Sequence, residues 1–309
     1  MSLPPWNADR PLTLDTARAV VRAAFPEAAA DSLEWLRSGW DFDAYRSADD
    51  WLFRFPRRSE VVSLFEREGP ILELARSALP RSVSVPLVTV VSHAVPEFPY
   101  PIAAHRFIPG VRADDVPDAL CSALAESIAE ALAAIHSVPE AVARAAGMVE
   151  LDRSEPGRID WFIRGSAGVR ALNDRDGTLN EAVQWLSRVD DPLRRLDAPL
   201  RMIHHDVSPE HLLADPETGR LVGILDWTDA ILGDPARDFA PLVAFAGWGF
   251  VDDVIRHYPL GIDEGFRQRL DFMARLLPLM WLGHAYVQEE EVGPLVAWVR
   301  NCFAEGSAT

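Results

Sequence analysis

Apolar positions recur at helical spacing from residue 13 to 25, where Ala17, Val20, Val21, Ala24 and Phe25 form one stripe and Thr13 can cap the helix. The rhythm then turns to strands. Leu33 to Arg37 alternates and ends in the turn Ser38-Gly39. Phe42 to Arg46 follows, then a tight turn at Asp49-Asp50, then Trp51 to Phe55, stopped by Pro56. Arg58 to Leu79 predicts a helix, with Val61, Val62, Phe65, Leu72 and Ala75 on one side and a kink or a split at Gly69-Pro70. Leu87 to Val91 and Pro101 to Phe107 read as two further strands, which completes a small five-stranded α+β lobe.

Beyond Ile108-Pro109-Gly110, which reads as a linker, the pattern is mainly helical. Helices are predicted over Ala119 to Ser137, over Asn180 to Val189, and over about 239–257, 264–286 and 292–304. Two short apolar strands, Met202 to His204 and Leu221 to Leu225, interrupt them and read as a small embedded hairpin around a polar loop.

Composition narrows the function. The 309 residues hold 47 acids and 30 bases, a formal charge of −17, which argues against a general nucleic-acid binder because phosphate binding needs a basic surface. All 30 bases are arginine, so chemistry that needs a lysine amine, such as a Schiff base or a Walker-type lysine, is excluded. Two cysteines, Cys121 and Cys302, make neither a disulfide framework nor a cysteine zinc site. The start MSLPPWNADR lacks the basic and apolar regions of a signal peptide, and the apolar run Phe239 to Val251 has 13 residues. That is short of the ~18 to 20 needed to span a bilayer. A cytoplasmic protein without membrane or nucleic-acid partners is expected.

The chemistry concentrates in Ile203-His204-His205-Asp206-Val207-Ser208-Pro209-Glu210-His211, and in Ile224-Leu225-Asp226, where Asp226 stands 15 residues past His211. Each half is an apolar strand end that delivers acids and imidazoles into a loop. A carboxylate just after a strand, Asp206, can accept a proton from an incoming hydroxyl. A neutral imidazole and a carboxylate, His211 and Asp226, make a divalent-metal pair. Phosphoryl transfer needs these parts. A His/Asp metallohydrolase built on His204-His205-Asp206 would need further ligands, and His93, His105, His136, His257 and His284 are scattered without ligand spacing.

This segment resembles the catalytic loop of the kinase-like antibiotic phosphotransferases, the aminoglycoside and macrolide phosphotransferases. Their pattern, H-x-D-x-x-x-x-N/H and then an apolar run ending in Asp, reads here as His204, Asp206, His211 and Asp226. Gly233-Asp234-Pro235 with Asp238-Phe239, the helix end LAAIHSVP (Leu132 to Pro139) and the stretch Gly39 to Arg58 resemble further family elements in the same order. Histidine at 211 is similar to the aminoglycoside 2''-phosphotransferases and the macrolide enzymes.

The resemblance implies a protein-kinase-like bilobal α+β fold. Residues 1–105 would form a five-stranded amino lobe, 106–111 a hinge, and 112–309 a mainly helical carboxy lobe. It implies Asp206 as catalytic base, Mg2+ held by His211 and Asp226, and ATP or GTP between the lobes. Ser38 and Gly39 would cover the phosphates, and His105 would stand at the gatekeeper position. The backbone of Arg106 and Ile108 would meet the base. Arg54 would stand where the family has its phosphate-binding lysine, paired with Glu68. The implied acceptor is an aminoglycoside, with a macrolide or a small metabolite as alternatives, and the enzyme is expected to be a monomer. A non-catalytic nucleotide-binding module is the contrasting expectation, supported by the missing lysine and opposed by the intact loop.

Overall fold

The computed structural model describes residues 8–9, 11–39, 41–91, 95–96, 98–150, 156–189 and 198–304. The first seven residues, Trp40 and His93 lie outside them. The chain divides into two compact units. One runs to Pro109 without residues 78–83; the other takes 78–83 and everything from Gly110 on.

In the first unit, α1 (Leu14–Ala24) starts at Thr13, whose Oγ1 accepts the amide of Thr16 at 3.2 Å. The sheet contains β1 (Glu34–Ser38), β2 (Phe42–Arg46), β3 (Trp51–Pro56), β4 (Thr89–Val91) and β5 (Ile102–Arg106). Its order is β1-β2-β3-β5-β4, antiparallel throughout. Strand alternation sorts the side chains. Phe53 and Phe55 join Ala17, Val20, Val21 and Phe25 of the α1 stripe in one core, with Tyr45, Ile102 and Ala104. Arg54, between the two phenylalanines, pairs instead with Glu68 of α2 (Val62–Ala78). Gly69-Pro70 does not split this helix. Pro70 removes one amide, but Phe65, Glu68, Ile71, Leu72 and Ala75 are buried along it, and tertiary packing outweighs the lost bond.

The second unit contains β6 (Val111–Arg112), α3 (Cys121–His136), α4 (Glu140–Ala145), α5 (Pro156–Asp176) and α6 (Asn180–Leu186). It continues with β7 (Arg201–Ile203), β8 (Leu212–Ala214), β9 (Leu221–Ile224) and β10 (Ile231–Gly233), and closes with α7 (Ala236–His257), whose two helical segments meet at a kink at Gly247 (φ 78°), α8 (Phe266–Val287) and α9 (Gly293–Phe303). The expected hairpin is corrected: the strands at 201–203 and 221–224 do not pair with each other. β7 pairs with β10, and β9 pairs with β8, which also takes β6. The loop after β7 turns the chain before β8 forms, so β9 folds back on β8 and β7 is left for β10.

Helix α3 is long and apolar enough, with the residues before it, to cross a membrane by length and composition alone. Leu124, Ile128, Leu132 and Ile135 along it are buried in the unit. Helices α5 and α8 cross at Gly165, Gly168 and Gly283. A Cβ at Gly168 would run into the Gly283 carbonyl, and one at Gly283 into the Gly165 carbonyl, so these glycines set the close approach.

Candidate active site

The polar loop between β7 and β8 is held from several sides. His204 is buried. Its Nε2–H donates to the Leu225 carbonyl (2.9 Å), its Nδ1 accepts the Asp206 amide (3.3 Å), and its ring stands edge-on to Trp227 at 4.7 Å. Burial pushes its pKa down, so the imidazole braces the loop in its neutral form. The Asp238 carboxylate, at the start of α7, accepts the amide of His204 (2.9 Å) on Oδ2 and that of His205 (2.7 Å) on Oδ1. His205 sits at φ 73° and Asp226 at φ 57°, left-handed conformations that cost an L residue on the order of 1 kcal/mol each. Such strain persists only where surrounding bonds hold it.

These bonds bring three of the predicted residues together. His211 stands between two carboxylates: its Nδ1 is 3.3 Å from Asp206 Oδ2, and its Nε2 is 3.7 Å from Asp226 Oδ2. Nδ1–H donates to the Asp206 carbonyl at 3.2 Å and lies 3.1 Å from Ser208 Oγ. That fixes the tautomer and turns the Nε2 lone pair toward Asp226. Asp226 Oδ1 accepts the Thr228 hydroxyl at 2.7 Å. The β8–β9 ladder sets the spacing, since Leu212 pairs with Ile224 and the Leu225 amide donates to the His211 carbonyl at 2.8 Å. Among the described residues no three His, Cys, Asp or Glu side chains form a metal cage. One imidazole nitrogen before β8 and one carboxylate after β9, brought together by the β8–β9 ladder, still suit an ion whose remaining ligands are phosphate oxygens and water.

Asp234, from the Gly233-Asp234-Pro235 run, accepts the Ala236 amide (3.0 Å) and the Arg269 Nε–H (2.7 Å), and caps the start of α7. Burial pushes its pKa up, against the pull of Arg269. Glu289, Glu290 and Glu291 are exposed after α8.

The first unit gathers the other predicted residues. Arg54 meets Glu68 through both guanidinium nitrogens, one at 3.0 Å, and lies 5.2 Å and 5.4 Å from the rings of Phe42 and Phe65. Ser38 Oγ–H donates to Asp43 at 2.6 Å, and the Gly39 amide donates to the Phe42 carbonyl at 2.8 Å. Arg57 donates to the Gly39 carbonyl at 2.5 Å and Arg58 pairs with Asp41, so two arginines tie down the turn. Ladder partners share a face of the sheet: Arg54 lies opposite Ala103 and Leu52 opposite His105, which puts His105 on the Arg54 side. His105 is buried, and burial pushes its pKa down to about 4. Its Nδ1–H donates to the Arg106 carbonyl at 2.8 Å. The Arg106 guanidinium turns back to the Asp49 carbonyl and the Trp51 ring, while Ile108 is half-buried just beyond β5.

Ser208 and Thr228 carry no signal in the sequence that marks them as ligands of the loop. Asp238, five residues past Gly233, reads from sequence as a residue that fixes the loop and the helix start, and its partners are 33 and 34 residues away.

A family model described as the phosphotransferase enzyme family (APH) matches residues 32–279. The uncharacterized protein YcbJ of Bacillus subtilis (strain 168) is 29% identical over 223 residues, spanning 68% of this chain and 69% of its own. Among solved structures, the GDP complex of aminoglycoside 2'-phosphotransferase-IIIa superposes with a TM-score of 0.66 at 21% identity, covering 92% of this chain and 94% of that one. Macrolide 2'-phosphotransferase MphH from Brachybacterium faecium gives 0.60 at 22%, covering 94% and 97%. Macrolide 2'-phosphotransferase type I gives 0.59 at 23%, covering 96% and 99%. At these identities the likeness is one of fold, with the five-stranded antiparallel sheet and helical carboxy-terminal region in common.

Proposed function

The chain belongs to the phosphotransferase enzyme family and has its kinase-like fold, and we propose that it moves the γ-phosphate of ATP or GTP to a hydroxyl of an aminoglycoside. One observation carries this reading: His211 stands within 3.3 Å and 3.7 Å of the Asp206 and Asp226 carboxylates, so base and ligand pair converge from the β7–β8 loop and the end of β9. Asp206 orients the acceptor hydroxyl and takes its proton. The acceptor oxygen bonds to the γ-phosphorus as the bond to the β-phosphate oxygen breaks, and the nucleoside diphosphate leaves. His211 Nε2 and Asp226 would hold magnesium, which would supply charge neutralisation at the phosphates. Most of the rate comes from positioning and charge complementarity.

In this reading Arg54, paired with Glu68, replaces the absent lysine as the phosphate-side cation. Ser38 and Gly39 cover the phosphates, His105 flanks the base, and the backbone of Arg106 and Ile108 meets it. Neighbours solved with GDP and with ATP support a guanosine or an adenosine nucleotide as co-substrate. A charge of −17 favours a polycationic acceptor in general terms. The macrolide enzymes among the neighbours keep a macrolide as the second acceptor.

The test supplies ATP or GTP with magnesium and panels of aminoglycosides and macrolides, and identifies products by mass. A phosphorylated aminoglycoside is expected, and Asp206→Asn should lower turnover about 10²- to 10⁴-fold while nucleotide still binds. Phosphorylated macrolide alone would move the acceptor. No phosphorylated product from either panel would sink the antibiotic reading. An Asp206→Asn enzyme retaining more than about a tenth of the rate would remove the base assignment.

A further inference from the structure

The strands of the first unit carry four arginines, and three of them are engaged. Arg46 meets Asp50 and the Phe107 ring, Arg54 meets Glu68, and Arg106 meets the Asp49 carbonyl and the Trp51 ring. Arg37, in β1, is exposed and has no ion pair, hydrogen bond or ring contact among the described residues.

A β-bulge decides which face of the sheet Arg37 takes. Trp35 lies opposite Tyr45, which belongs to the core under α1. Plain alternation from Trp35 would return Arg37 to that same face. Instead the ladder slips at Leu36, and Arg37 rather than Leu36 is the ladder partner of Ala44. Bulges of this kind re-aim a side chain. Ala44 in turn lies opposite Arg54, and Arg54 opposite Ala103. One row across the sheet therefore reads Arg37, Ala44, Arg54, Ala103, with a single methyl group between the two arginines. Their backbones are two strands apart, about 10 Å. Ser38, the next residue, falls on the other face, opposite Asp43 and through it Phe55, and its hydroxyl is spent on Asp43.

Charge completes the argument. The chain has no lysine. Arg54 is closed against the buried Glu68 through two nitrogens, so that pair presents no net charge to a phosphate. Arg57 donates to the Gly39 carbonyl and Arg58 pairs with Asp41, so both are used in holding the turn. Arg37 is the cation next to that turn whose charge no carboxylate balances, and an open fork of N–H donors is what a phosphate group accepts best.

We propose that Arg37 is a second phosphate-binding residue, re-aimed by the bulge so that its guanidinium holds the nucleotide phosphates beside Arg54. The inference rests on the reading that a nucleotide binds with its phosphates against the turn after β1. Arg54, tied to Glu68, fixes α2 against the sheet, and Arg37 supplies the uncompensated positive charge. The contact exists in the bound ground state as well as during transfer, so its loss appears in affinity more than in kcat.

The experiment measures the affinity of wild type, Arg37→Ala, Arg37→Glu and Arg67→Ala for ATP, ADP and adenosine with magnesium, and for the guanosine counterparts. Arg67 is the control: it is exposed on α2, has no partner among the described residues, and removes the same charge from the chain. Arg37→Ala should weaken triphosphate binding about 10-fold, diphosphate binding less, and nucleoside binding by less than about twofold. Arg37→Glu should cost about 100-fold for the triphosphate, because it adds repulsion to the lost contact. Arg67→Ala should stay within about twofold of wild type. All variants should unfold at the wild-type denaturant midpoint, since each changed side chain is exposed and unpaired. Triphosphate affinity unchanged in Arg37→Ala would overturn the proposal. So would an equal loss for the nucleoside, which would place the effect away from the phosphates, or an equal loss in Arg67→Ala, which would reduce it to bulk charge. The measurement needs no acceptor. A wild type that binds ATP or GTP yet phosphorylates no antibiotic would defeat the acceptor reading alone, and the affinities would still decide Arg37. A wild type that binds neither would overturn both.

Discussion

In the first unit the Arg54 side chain is 11% exposed and closed against Glu68, which is 1% exposed; in the second, Asp206 and Asp226 are 31% and 38% exposed around His211. The first arrangement neutralises a charge inside the protein. The second holds carboxylates open, with two loop residues kept in left-handed backbone conformations. A buried pair is expensive to break because the surviving charge has no water to turn to. An open, strained carboxylate is cheap to remove and expensive only in chemistry. The difference predicts that stability and activity respond to opposite halves of the functional apparatus.

The sharpest way to break that comparison is a pair of variants. Glu68→Ala leaves Arg54 buried without its carboxylate and should destabilise the fold by about 3–5 kcal/mol. Asp226→Asn keeps a residue that tolerates the left-handed region, so it should change stability by less than about 1 kcal/mol. It should nevertheless lower turnover at least about 10²-fold, through the lost carboxylate. Denaturant unfolding and initial rates on both proteins decide. Equal stability losses would erase the distinction between the units.

Legibility followed the range of the interactions. His204, Asp206 and His211 lie within eight residues, and the strand at Leu221–Ile224 returns Asp226 to them, so spacing alone exposed the loop. The strands of the first unit showed through period-two alternation, as in Phe53-Arg54-Phe55. The partner of Arg54 could be named from the resemblance, but its closure against Glu68 needs the packing of α2 on the sheet. Pairings set by tertiary route were unreadable. β7 pairs across 30 residues with β10, and no local signal separates that from pairing with β9. Helix α5 went unpredicted because its contact with α8 depends on Gly165 and Gly168, which read as helix-weakening residues in isolation. The Asp238–His136 bond joins residues 102 apart.

A second test uses protons. His105 belongs to the buried side of the comparison: burial holds its pKa near 4, below the 6.5 of a free imidazole. Between those values the unfolded chain binds a proton that the folded protein refuses. The contribution of a neutral His105 is therefore complete above pH 6.5 and is lost as pH falls toward 4. The difference corresponds to on the order of 3 kcal/mol. Urea unfolding of the wild type should weaken over that window by about this amount relative to His105→Gln, and the two should run parallel above it. Parallel curves all the way down would mean that water or a structural opening reaches the imidazole.

Arg54→Lys is the smallest and most discriminating change, because it installs the residue that the proposed role of Arg54 takes arginine to replace, without removing the charge. Arg54 presents two nitrogens to the two Glu68 oxygens and sits near the faces of Phe42 and Phe65. An ammonium is one point of charge. It keeps the attraction and loses the two-pronged bond and part of the ring contact. The expected cost is about 1 kcal/mol in unfolding, with the nucleotide KM moving less than about tenfold and kcat retained. A loss as large as that of Glu68→Ala would show that the fork, not the charge, holds α2 against β3. A turnover raised well above wild type would show that arginine at this position displaces the nucleotide from its best place. An unchanged protein would mean that position 54 serves only as the counter-charge of Glu68, and the phosphate-side cation would then be Arg37 alone, since Arg57 and Arg58 hold the turn after β1.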